Sequence, residues 1–486
     1  MDKLLGFVPD ADPTTPGVLT SVTNLIPYEN GMKGAPTGST PSGVPALASA
    51  CLGGVVVTKL DDTRRILAGT QTKLYELSGG SWSDVSTGAY TGGTDSRWSI
   101  TQFGNDTVAA NLSDTIQRST GSTFAPVGYA VKAKIVFSVG AFVMALNTSD
   151  ATYGVSQDRW WCCAAYDASN WTPSVTTMAT TGRFVAGPGQ VTAGGKLGEY
   201  AVAYKEKSIF VGQFVGAPVV WDWVQVPGGD AGCVGQDAWC DIGGAHFVVG
   251  MDNIWIFDGS RPASVADGKI RQWFFDNSNP AYRYKTQCIF DRANNSVWMF
   301  YPSRTSTTLD QALVYHLTTQ QWGGCTISIE AVLNYISAGA TIDGLTSYSG
   351  TIDGLSSYSF DSQFWLSGGR AMSIVNTSHQ IQLLTGNTVS SGFTTGDVGD
   401  DDTVTLLSKI RVRFAPGYKP TAATAQVFNK MTEGDSLTTG PSGTLNDGKF
   451  DVLQSARFHR ADFAFTGMSA CWLWAQTFSR RVHRED

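Results

Sequence analysis

Apolar and polar residues alternate in short runs that recur about every 42 residues along much of the chain. The stretch from Ile66, ILAGTQTKLYELSGGSWSDV, aligns without gaps with the stretch from Val108, VAANLSDTIQRSTGSTFAPV. Each stretch has an apolar run, a polar turn, a second apolar run, a turn that contains Gly, and then an aromatic residue. This order predicts β-hairpins that are followed by the start of another strand.

Similar hairpins occur further along the chain, from Tyr200 (YAVAYKEKSIFVGQF), His246 (HFVVGMDNIWIFDGS), Cys288 (CIFDRANNSVWMFYP) and Ala371 (AMSIVNTSHQIQLLTG), with a degenerate copy over residues 141–167. Repeats of roughly 40–50 residues with about four strands each are typical of a β-propeller. A single four-stranded sheet cannot bury both of its faces, whereas sheets stacked around an axis can. The sequence therefore predicts a β-propeller of six or seven blades. The alternative is an irregular β-sandwich with chance spacing.

The two ends of the chain differ from its repetitive middle. Residues 1–48 are rich in Pro, Gly and Thr, which predicts an extended N-terminal arm with one short strand. Residues 49–402 form the predicted propeller, with GDVGDDD (396–402) as a linker. Residues 403–486 alternate apolar and polar positions, which indicates half-buried antiparallel strands. We expect a small C-terminal β-domain, or a β-extension packed on the propeller.

A doubled stretch interrupts the regular spacing at residues 341–360, TIDGLTSYSGTIDGLSSYSF. Each copy carries Asp-Gly, a strong turn signal, between apolar residues. The stretch is interpreted as a connector that either replaces a blade or decorates one. A shared ion between Asp343 and Asp353 is the alternative.

Composition supports an all-β chain and narrows the classes of function. Charged residues make up only 15% of the sequence, the formal net charge is -7 and the pI is about 5.3. A mildly acidic chain is not a general nucleic-acid binder, because phosphate binding needs a basic face. The first residues lack the apolar core of a secretory signal, and no run of 18 apolar residues occurs. We therefore expect neither export nor a membrane span.

The sequence has no recognisable catalytic, cofactor or metal motif. Its five His residues lack ligand spacing, and HExxH, GxSxG, P-loop and GxGxxG patterns are absent. In STGSTF, Ser119 stands where the Asp-box of sialidases has Asp, so a glycosidase is a weak alternative. The acidic linker does not follow the EF-hand pattern, and solvation is favoured over calcium binding. The prediction is a protein that is not an enzyme and has no cofactor or metal.

The eight Cys residues form no CxxC pair, so we expect buried reduced thiols. A disulfide between Cys233 and Cys240 is the alternative.

Two tryptophans are the candidate glycan contacts. Trp221 and Trp223, in VVWDWV, share one face of a strand because alternate residues do. Core and inter-blade packing is the alternative role for both rings.

Three separated stretches resemble tail proteins of tailed bacteriophages. TNLIPYENGMKGAPT is similar to their opening motif, in which Asn, two apolar residues and Pro are followed by Tyr-x-Asn-Gly. The stretch TIDGLTSYSGTIDGLSSYSFDSQFWLSGGR is similar to a segment that leads to Phe-Asp-Ser and Gly-Gly-Arg. DGKFDVLQSARFHRADFAFTG is similar to their C-terminal strand pair. Together with a propeller, the chain resembles the tail hub or nozzle protein of short-tailed phages.

This resemblance implies a structural virion protein of the phage tail that assembles in the host cytoplasm. It implies a homohexameric ring below the head-to-tail adaptor, which carries fibres, a spike or a needle and through which DNA passes without specific binding. The arm and the C-terminal domain would then contact neighbouring subunits or the adaptor. The candidate contact residues are Tyr28, Asn30, Arg480, Arg481 and Arg484. A carbohydrate-binding tail propeller is the second hypothesis.

Overall fold

The computed structural model of the chain describes residues 2–29, 31–41, 43–227, 231–336, 370–415, 419–466 and 473–482. Nearly all regular structure in these ranges is β-strand, with one short α-helix and one 3-10 turn. The all-β prediction is confirmed.

The N-terminal region contains six short strands rather than the single strand expected from its sequence. Pro and Gly keep each strand short because they interrupt the ladder of backbone hydrogen bonds. The strands are β1 (Asp2–Lys3), β2 (Gly6–Phe7), β3 (Val18–Thr23), β4 (Leu25–Tyr28), β5 (Gly31–Gly34) and β6 (Thr37–Ser39).

Five four-stranded antiparallel sheets then follow one another along the chain, and we number them blades 1 to 5. Blade 1 comprises β7 (Gly54–Thr58), β8 (Arg64–Gly69), β9 (Leu74–Ser78) and β10 (Ser81–Asp84). Blade 2 comprises β11 (Ser99–Phe103), β12 (Asp106–Ala110), β13 (Gln117–Ser119) and β14 (Ala125–Pro126). Blade 3 comprises β15 (Lys132–Val139), β16 (Phe142–Asp150), β17 (Gly154–Cys162) and β18 (Thr180–Arg183). Blade 4 comprises β19 (Val191–Leu197), β20 (Tyr200–Lys205), β21 (Ile209–Gly216) and β22 (Val220–Gln225). Blade 5 comprises β23 (Trp239–Asp241), β24 (His246–Val249), β25 (Ile254–Phe257) and β26 (Ala263–Ser264).

Blades 6 and 7 share one long strand. After α1 (Arg271–Asn277) and the 3-10 turn Arg283–Lys285, blade 6 comprises β27 (Gln287–Asp291), β28 (Ser296–Tyr301), β29 (Leu309–His316) and the first part of β30 (Trp322–Ile336). The second part of β30 pairs with β31 (Arg370–Asn376), which pairs with β32 (Ile381–Gly386). The fourth strand of blade 7 is β6, which pairs antiparallel with β32.

The described strands therefore form a β-propeller of seven four-stranded blades, closed by a strand from the N-terminal region. The first strands of successive blades lie side by side around the axis, and β30 contacts β7 of blade 1. The degenerate copy at residues 141–167 is a true hairpin of blade 3. The doubled stretch lies outside the described residues, between β30 and β31. The described strands on either side of it form blade 7.

The hairpin that begins at Cys288 does not occupy the same place in its blade as the other hairpins do. The stretch from Cys288 forms the first two strands of blade 6, whereas the other hairpins are the second and third strands of their blades. The seven residues 302–308 join β28 to β29 and lengthen this blade. The third strand of blade 6 therefore begins at Leu309, later than the period of about 42 residues predicts from Ile254 in blade 5.

The remaining strands form a two-sheet sandwich that both ends of the chain build together. Its C-terminal strands are β33 (Ser390–Thr395), β34 (Val398–Gly399), β35 (Thr405–Phe414), β36 (Ala422–Lys430), β37 (Thr438–Asn446), β38 (Lys449–Ala456), β39 (Phe458–Thr466) and β40 (Leu473–Val482). One sheet contains β2, β3, β33, β39 and β36, and the other contains β38, β35, β40, β5 and β4. The N-terminal strands are therefore part of the C-terminal domain's sheets.

This pairing differs from the predicted boundaries. Strand β33 belongs to the sandwich, so the last propeller strand in chain order ends at Gly386 and not near residue 402. The predicted N-terminal arm also contributes to the sandwich, because Leu19, Leu25 and Met32 lie in the same hydrophobic core as Phe450 and Phe463.

A buried ion triad lies within the sandwich, next to the N-terminal segment. The Asp397 carboxylate is fully buried and lies 2.8 Å from Lys430 Nζ and 2.7 Å from Arg460 Nε. The backbone N–H of Asp397 donates a hydrogen bond to the carbonyl oxygen of Pro13 at 2.7 Å. A buried carboxylate needs such partners because its desolvation is costly.

Replacement of Asp397 with Asn should lower the free energy of unfolding by about 3–5 kcal/mol, because two cations lose their buried counter-charge. The matched control is Asp451→Asn, which removes an exposed pair with Lys449 at 3.2 Å and should cost about 0–1 kcal/mol. Urea unfolding of the two variants checks this. Equal stability of the two variants would contradict the role of the triad.

Candidate functional site

The residues that begin the first strand of each blade surround a cavity at one end of the propeller axis. Its volume is about 860 Å³, and a separate cavity of about 510 Å³ lies near the other ends of the first strands of blades 1 to 4. Every blade contributes to its wall. We call this cavity the axial funnel, and its wall includes, from blades 1 to 7, Cys51, Arg97, Lys134, Thr192, Asp237, Gln287 and Glu330. A concave site of this size with convergent polar groups is the default candidate for binding.

Glu330 joins four blades in the wall of the funnel. Its carboxylate accepts hydrogen bonds from the backbone N–H of Cys51 in blade 1 and pairs with His379 Nδ1, each at 2.8 Å. Its carbonyl accepts from Arg97 of blade 2 at 3.1 Å and from Gln287 of blade 6 at 2.9 Å. Because Glu330 itself lies on β30 of blade 7, its contacts stabilise the junction between blades 7 and 1, where the ring of blades closes.

Two further ion pairs engage four more of the charged side chains that line the funnel. Arg97 Nε lies 2.8 Å from a carboxylate oxygen of Asp237, and Lys285 Nζ lies 2.8 Å from one of Asp95. Both pairs span the funnel between blades that are not neighbours, since Arg97 and Asp95 precede the first strand of blade 2, whereas Asp237 and Lys285 precede those of blades 5 and 6.

Other polar side chains of the funnel are not engaged in this way, among them Lys134, Glu206 and Gln236. Within the described ranges, neither Lys134 nor Glu206 forms an ion pair or a side-chain hydrogen bond. Burial lowers the pKa of Lys134, and the negative charges of Asp237 and Glu206 oppose that shift. Gln236 is only 8% exposed, and its Nε2 has no hydrogen-bond partner. Within the described residues, Nε2 of Gln236 is therefore the buried polar atom of the funnel that has no hydrogen-bond partner.

The described thiols and a buried histidine have structural roles. All seven described Cys residues are free, including Cys233 and Cys240. Burial raises the pKa of Cys51 to about 11 and the pKa of Cys233 to about 12, which disfavours the reactive thiolate. His246 is buried and lies 2.8 Å from the Tyr204 hydroxyl, and burial lowers its pKa.

Among the described residues, no group of three His, Cys, Asp or Glu side chains has metal-site geometry. In the acidic linker, Asp400 accepts hydrogen bonds from Thr403, while Asp397 belongs to the ion triad. Asp343 and Asp353 lie outside the described residues. No helix within the described ranges has the length and apolar character of a membrane span.

The two candidate glycan contacts lie on the outermost strand of blade 4. Trp221 is only 3% exposed and packs against Phe142, with ring centroids 5.7 Å apart. Trp223 is half-buried, with its ring edge-to-face on Phe184 at 4.8 Å. Trp221 is therefore a core residue rather than an exposed platform, because packing between blades 3 and 4 covers its ring.

The candidate contact residues at the two ends lie in or beside the sandwich. Tyr28 ends β4, and Lys33 Nζ lies 4.1 Å from the centre of its ring. Arg480 and Arg481 lie on β40, opposite Leu407 and Leu406 of β35. Asn30 and Arg484 lie outside the described residues.

Sequence reasoning did not single out Lys134, Gln236 or Glu330. Their common signal is position, since each lies just before or at the start of the first strand of its blade. That position becomes informative only when all seven first strands have been identified.

Comparison with known proteins gives little further information. No family model matches the chain, and no curated protein matches it significantly. A solved structure described as "YCF48 bound to D1 peptide" is similar with 12% sequence identity and a TM-score of 0.34, over 63% of this chain and 88% of that chain. At this level the similarity carries no information on function, and the fold rests on the strand pairings themselves.

Replacement of Glu330 with Ala should lower the free energy of unfolding by about 1–3 kcal/mol, because it leaves the Cys51 N–H without its acceptor. The control is Glu199→Ala at an exposed turn, which should change stability by less than about 0.5 kcal/mol. Denaturant midpoints measure the difference. If both variants unfold at the same midpoint, Glu330 does not fasten the ring.

Replacement of Trp221 with Ala should cost about 3–5 kcal/mol of stability, because it leaves a cavity between two blades. Asp222→Ala changes the exposed neighbour on the same strand and should stay within about 0.5 kcal/mol of the wild type. Thermal and urea unfolding distinguish the two. If the Trp221→Ala protein is as stable as the wild type, the Trp221 side chain is not part of the hydrophobic core.

Proposed function

We propose that this chain is a structural virion protein that forms a ring in the short tail of a bacteriophage. In this role, copies of the chain surround the DNA ejection channel and bind the head-to-tail adaptor on one side and fibres or a needle on the other. Catalysis is not part of the role.

The observation that carries this proposal is the common location of two of the tail-protein-like stretches. TNLIPYENGMKGAPT provides β4 and β5, and DGKFDVLQSARFHRADFAFTG provides β38 and β39. These stretches are more than 400 residues apart, yet Leu25 and Met32 share one core with Phe450 and Phe463. Two of the three resembling stretches thus contribute to one folded unit, the sandwich.

Exposed apolar side chains support an assembly with other copies. Among the described residues, more than half of the exposed large apolar side chains lie between residues 153 and 224, in blades 3 and 4. Concentrations of exposed apolar surface are typical of protein contacts. In the proposed ring, this side of the propeller contacts a neighbouring subunit. The residues are Tyr153, Val155, Tyr166, Val175, Val185, Tyr200, Phe214, Val215, Val219 and Val224.

The DNA channel of the proposal is the central opening of the ring of copies. The axis of a single propeller is not this channel in the proposal, because side chains of all seven blades converge on the axial funnel. A subunit with net charge -7 also disfavours retention of DNA, since like charges repel.

The purified protein should form a hexameric ring, alone or with the adaptor of the same phage, in light scattering and negative-stain micrographs. The double variant Val219→Asp, Val224→Asp should weaken assembly at least tenfold, because it places charges in the apolar contact. Val389→Asp, at an exposed position of the sandwich side, is the matched control and should assemble normally.

A chain that stays monomeric in the presence of the adaptor would contradict the ring. A monomer that binds a glycan array would favour the carbohydrate-binding hypothesis. Antibody labelling of purified virions provides the location, and absence of label from the tail would overturn the proposal.

A further inference from the structure

We propose that the sandwiches of neighbouring copies of the chain contact each other head to tail, with a basic face of one copy against an acidic end of the next. This inference rests on the proposed ring and specifies one contact within it. Both surfaces belong to the sandwich, lie at separate places on it, and carry opposite charge.

The basic face is the outer face of the sheet that contains β35. Ile410 and Val412 of β35 lie in the sandwich core, and alternate residues of a strand point to opposite faces. Lys409, Arg411 and Arg413 therefore point away from the core, and Arg413 is exposed. Among the described residues, these three cations have no ion-pair or side-chain hydrogen-bond partner. A row of like charges without partners is stabilised by an external surface of opposite charge.

Strand β38 extends the basic face and adds an apolar side chain to it. Phe450 of β38 lies in the core opposite Ile410, so Lys449 and Leu453 are on the outer side. Lys449 is paired with Asp451 on the same face at 3.2 Å, and Leu453 is 71% exposed. An exposed apolar side chain beside arginines is typical of a protein contact, whereas binding to nucleic acid depends mainly on phosphates. The face therefore favours a protein partner.

The acidic end consists of two turns that leave the sandwich side by side. Gly399 of β34 and Lys430 of β36 both pair with Phe458 of β39, which lies between them. The turn after Lys430 also carries Met431 and Leu437, which are 46% and 38% exposed. Like the basic face, this end thus combines charge with apolar surface. The exposed carboxylates of the two turns are Asp400, Asp401, Asp402, Glu433 and Asp435.

The cations nearest to these turns do not neutralise the acidic end. Lys430 and Arg460 are engaged by the buried carboxylate of Asp397, at 2.8 Å and 2.7 Å. Arg457, which precedes Phe458, can balance only one of the exposed carboxylates. The end therefore keeps a net negative charge that is complementary to the basic face.

The two surfaces cannot neutralise each other within one chain. Asp402 precedes the start of β35 at Thr405, and Arg411 and Arg413 lie about 20 Å and 26 Å further along that strand. An ion pair requires a separation of about 4 Å. Complementary surfaces at separate places of one subunit produce a heterologous contact between copies, which generates a ring when the rotation closes. A second copy is therefore the partner that carries the matching surface.

The test is the assembly of charge-reversed full-length proteins, measured by light scattering and native mass spectrometry. The double variant Arg411→Glu, Arg413→Glu should raise the concentration at half-maximal assembly at least tenfold, because like charges then face each other. Asp401→Arg, Asp402→Arg should have the same effect. An equimolar mixture of the two variants should assemble as the wild type does, with equal numbers of each in a ring, because a reversed face then meets a reversed end.

The double variant Arg64→Glu, Arg261→Glu is the matched control, since it reverses two exposed cations of the propeller and should assemble normally. Normal assembly of both sandwich variants would overturn this contact and leave the ring in place, because Val219→Asp, Val224→Asp tests the ring separately. A mixture that does not recover assembly would also overturn the contact. A wild-type chain that stays monomeric with the adaptor would overturn both the contact and the ring.

Nucleic acid is the competing partner for the basic face. If Arg411→Glu, Arg413→Glu assembles normally but loses binding of labelled duplex DNA, the face binds phosphates and the proposal is overturned. Circular dichroism shows whether each variant folds. If the double variant does not fold, the single variant Arg413→Glu replaces it and should still weaken assembly severalfold, because Arg413 is exposed. Unchanged assembly of that variant would contradict the contact.

Discussion

The pairing of β6 with β32 is the interaction on which the rest of the structure depends. Each blade buries its faces only against two neighbours, so an open row of blades would leave the first and last faces exposed to water. Blade 7 has only three strands of its own in chain order and receives its fourth from Thr37–Ser39. The N-terminal strand thereby completes the ring next to blade 1, where Val375 and Ile381 share a core with Leu47 and Ala68.

The same N-terminal segment also joins the ring to the sandwich. Strands β4 and β5 lie in the sandwich, and β4 pairs with the long strand β30 of the propeller at Leu25 and Gly324. Asp10 accepts hydrogen bonds from the backbone N–H groups of Gln272 and Trp273 at the start of α1. The N-terminal segment therefore contacts both the propeller and the sandwich. The closure of the ring is coupled in this way to the folding of the C-terminal strands.

The repeating hairpins could be predicted from the sequence because each blade repeats the same physical problem. Ile66 and Val108 stand at equal places in β8 and β12, and their spacing predicts the propeller. The closing strand could not be predicted in this way, since Thr37–Ser39 has no apolar alternation and its partner is more than 340 residues distant. Strand β33 was missed for a similar reason, because SSGFTT carries only one large apolar residue.

The funnel was harder to predict than the fold. Lys134 stands in KAKIVFSV, where a polar residue at an alternating position indicates a solvent-exposed face. In a closed ring the same face points into the axial funnel, so its environment is set by six other blades. Glu330 and Gln236 acquire their roles in the same manner, through residues that only the tertiary structure brings near them.

Amide hydrogen exchange, read by mass spectrometry, tests the closure of the ring most directly. Residues 37–39 should exchange as slowly as β31 and β32, since β6 opens only when the ring opens. Slow exchange at Gly38 together with Leu384 would agree with a propeller closed by its N-terminal strand. Exchange of residues 37–39 within seconds, while β31 and β32 stay protected, would contradict it.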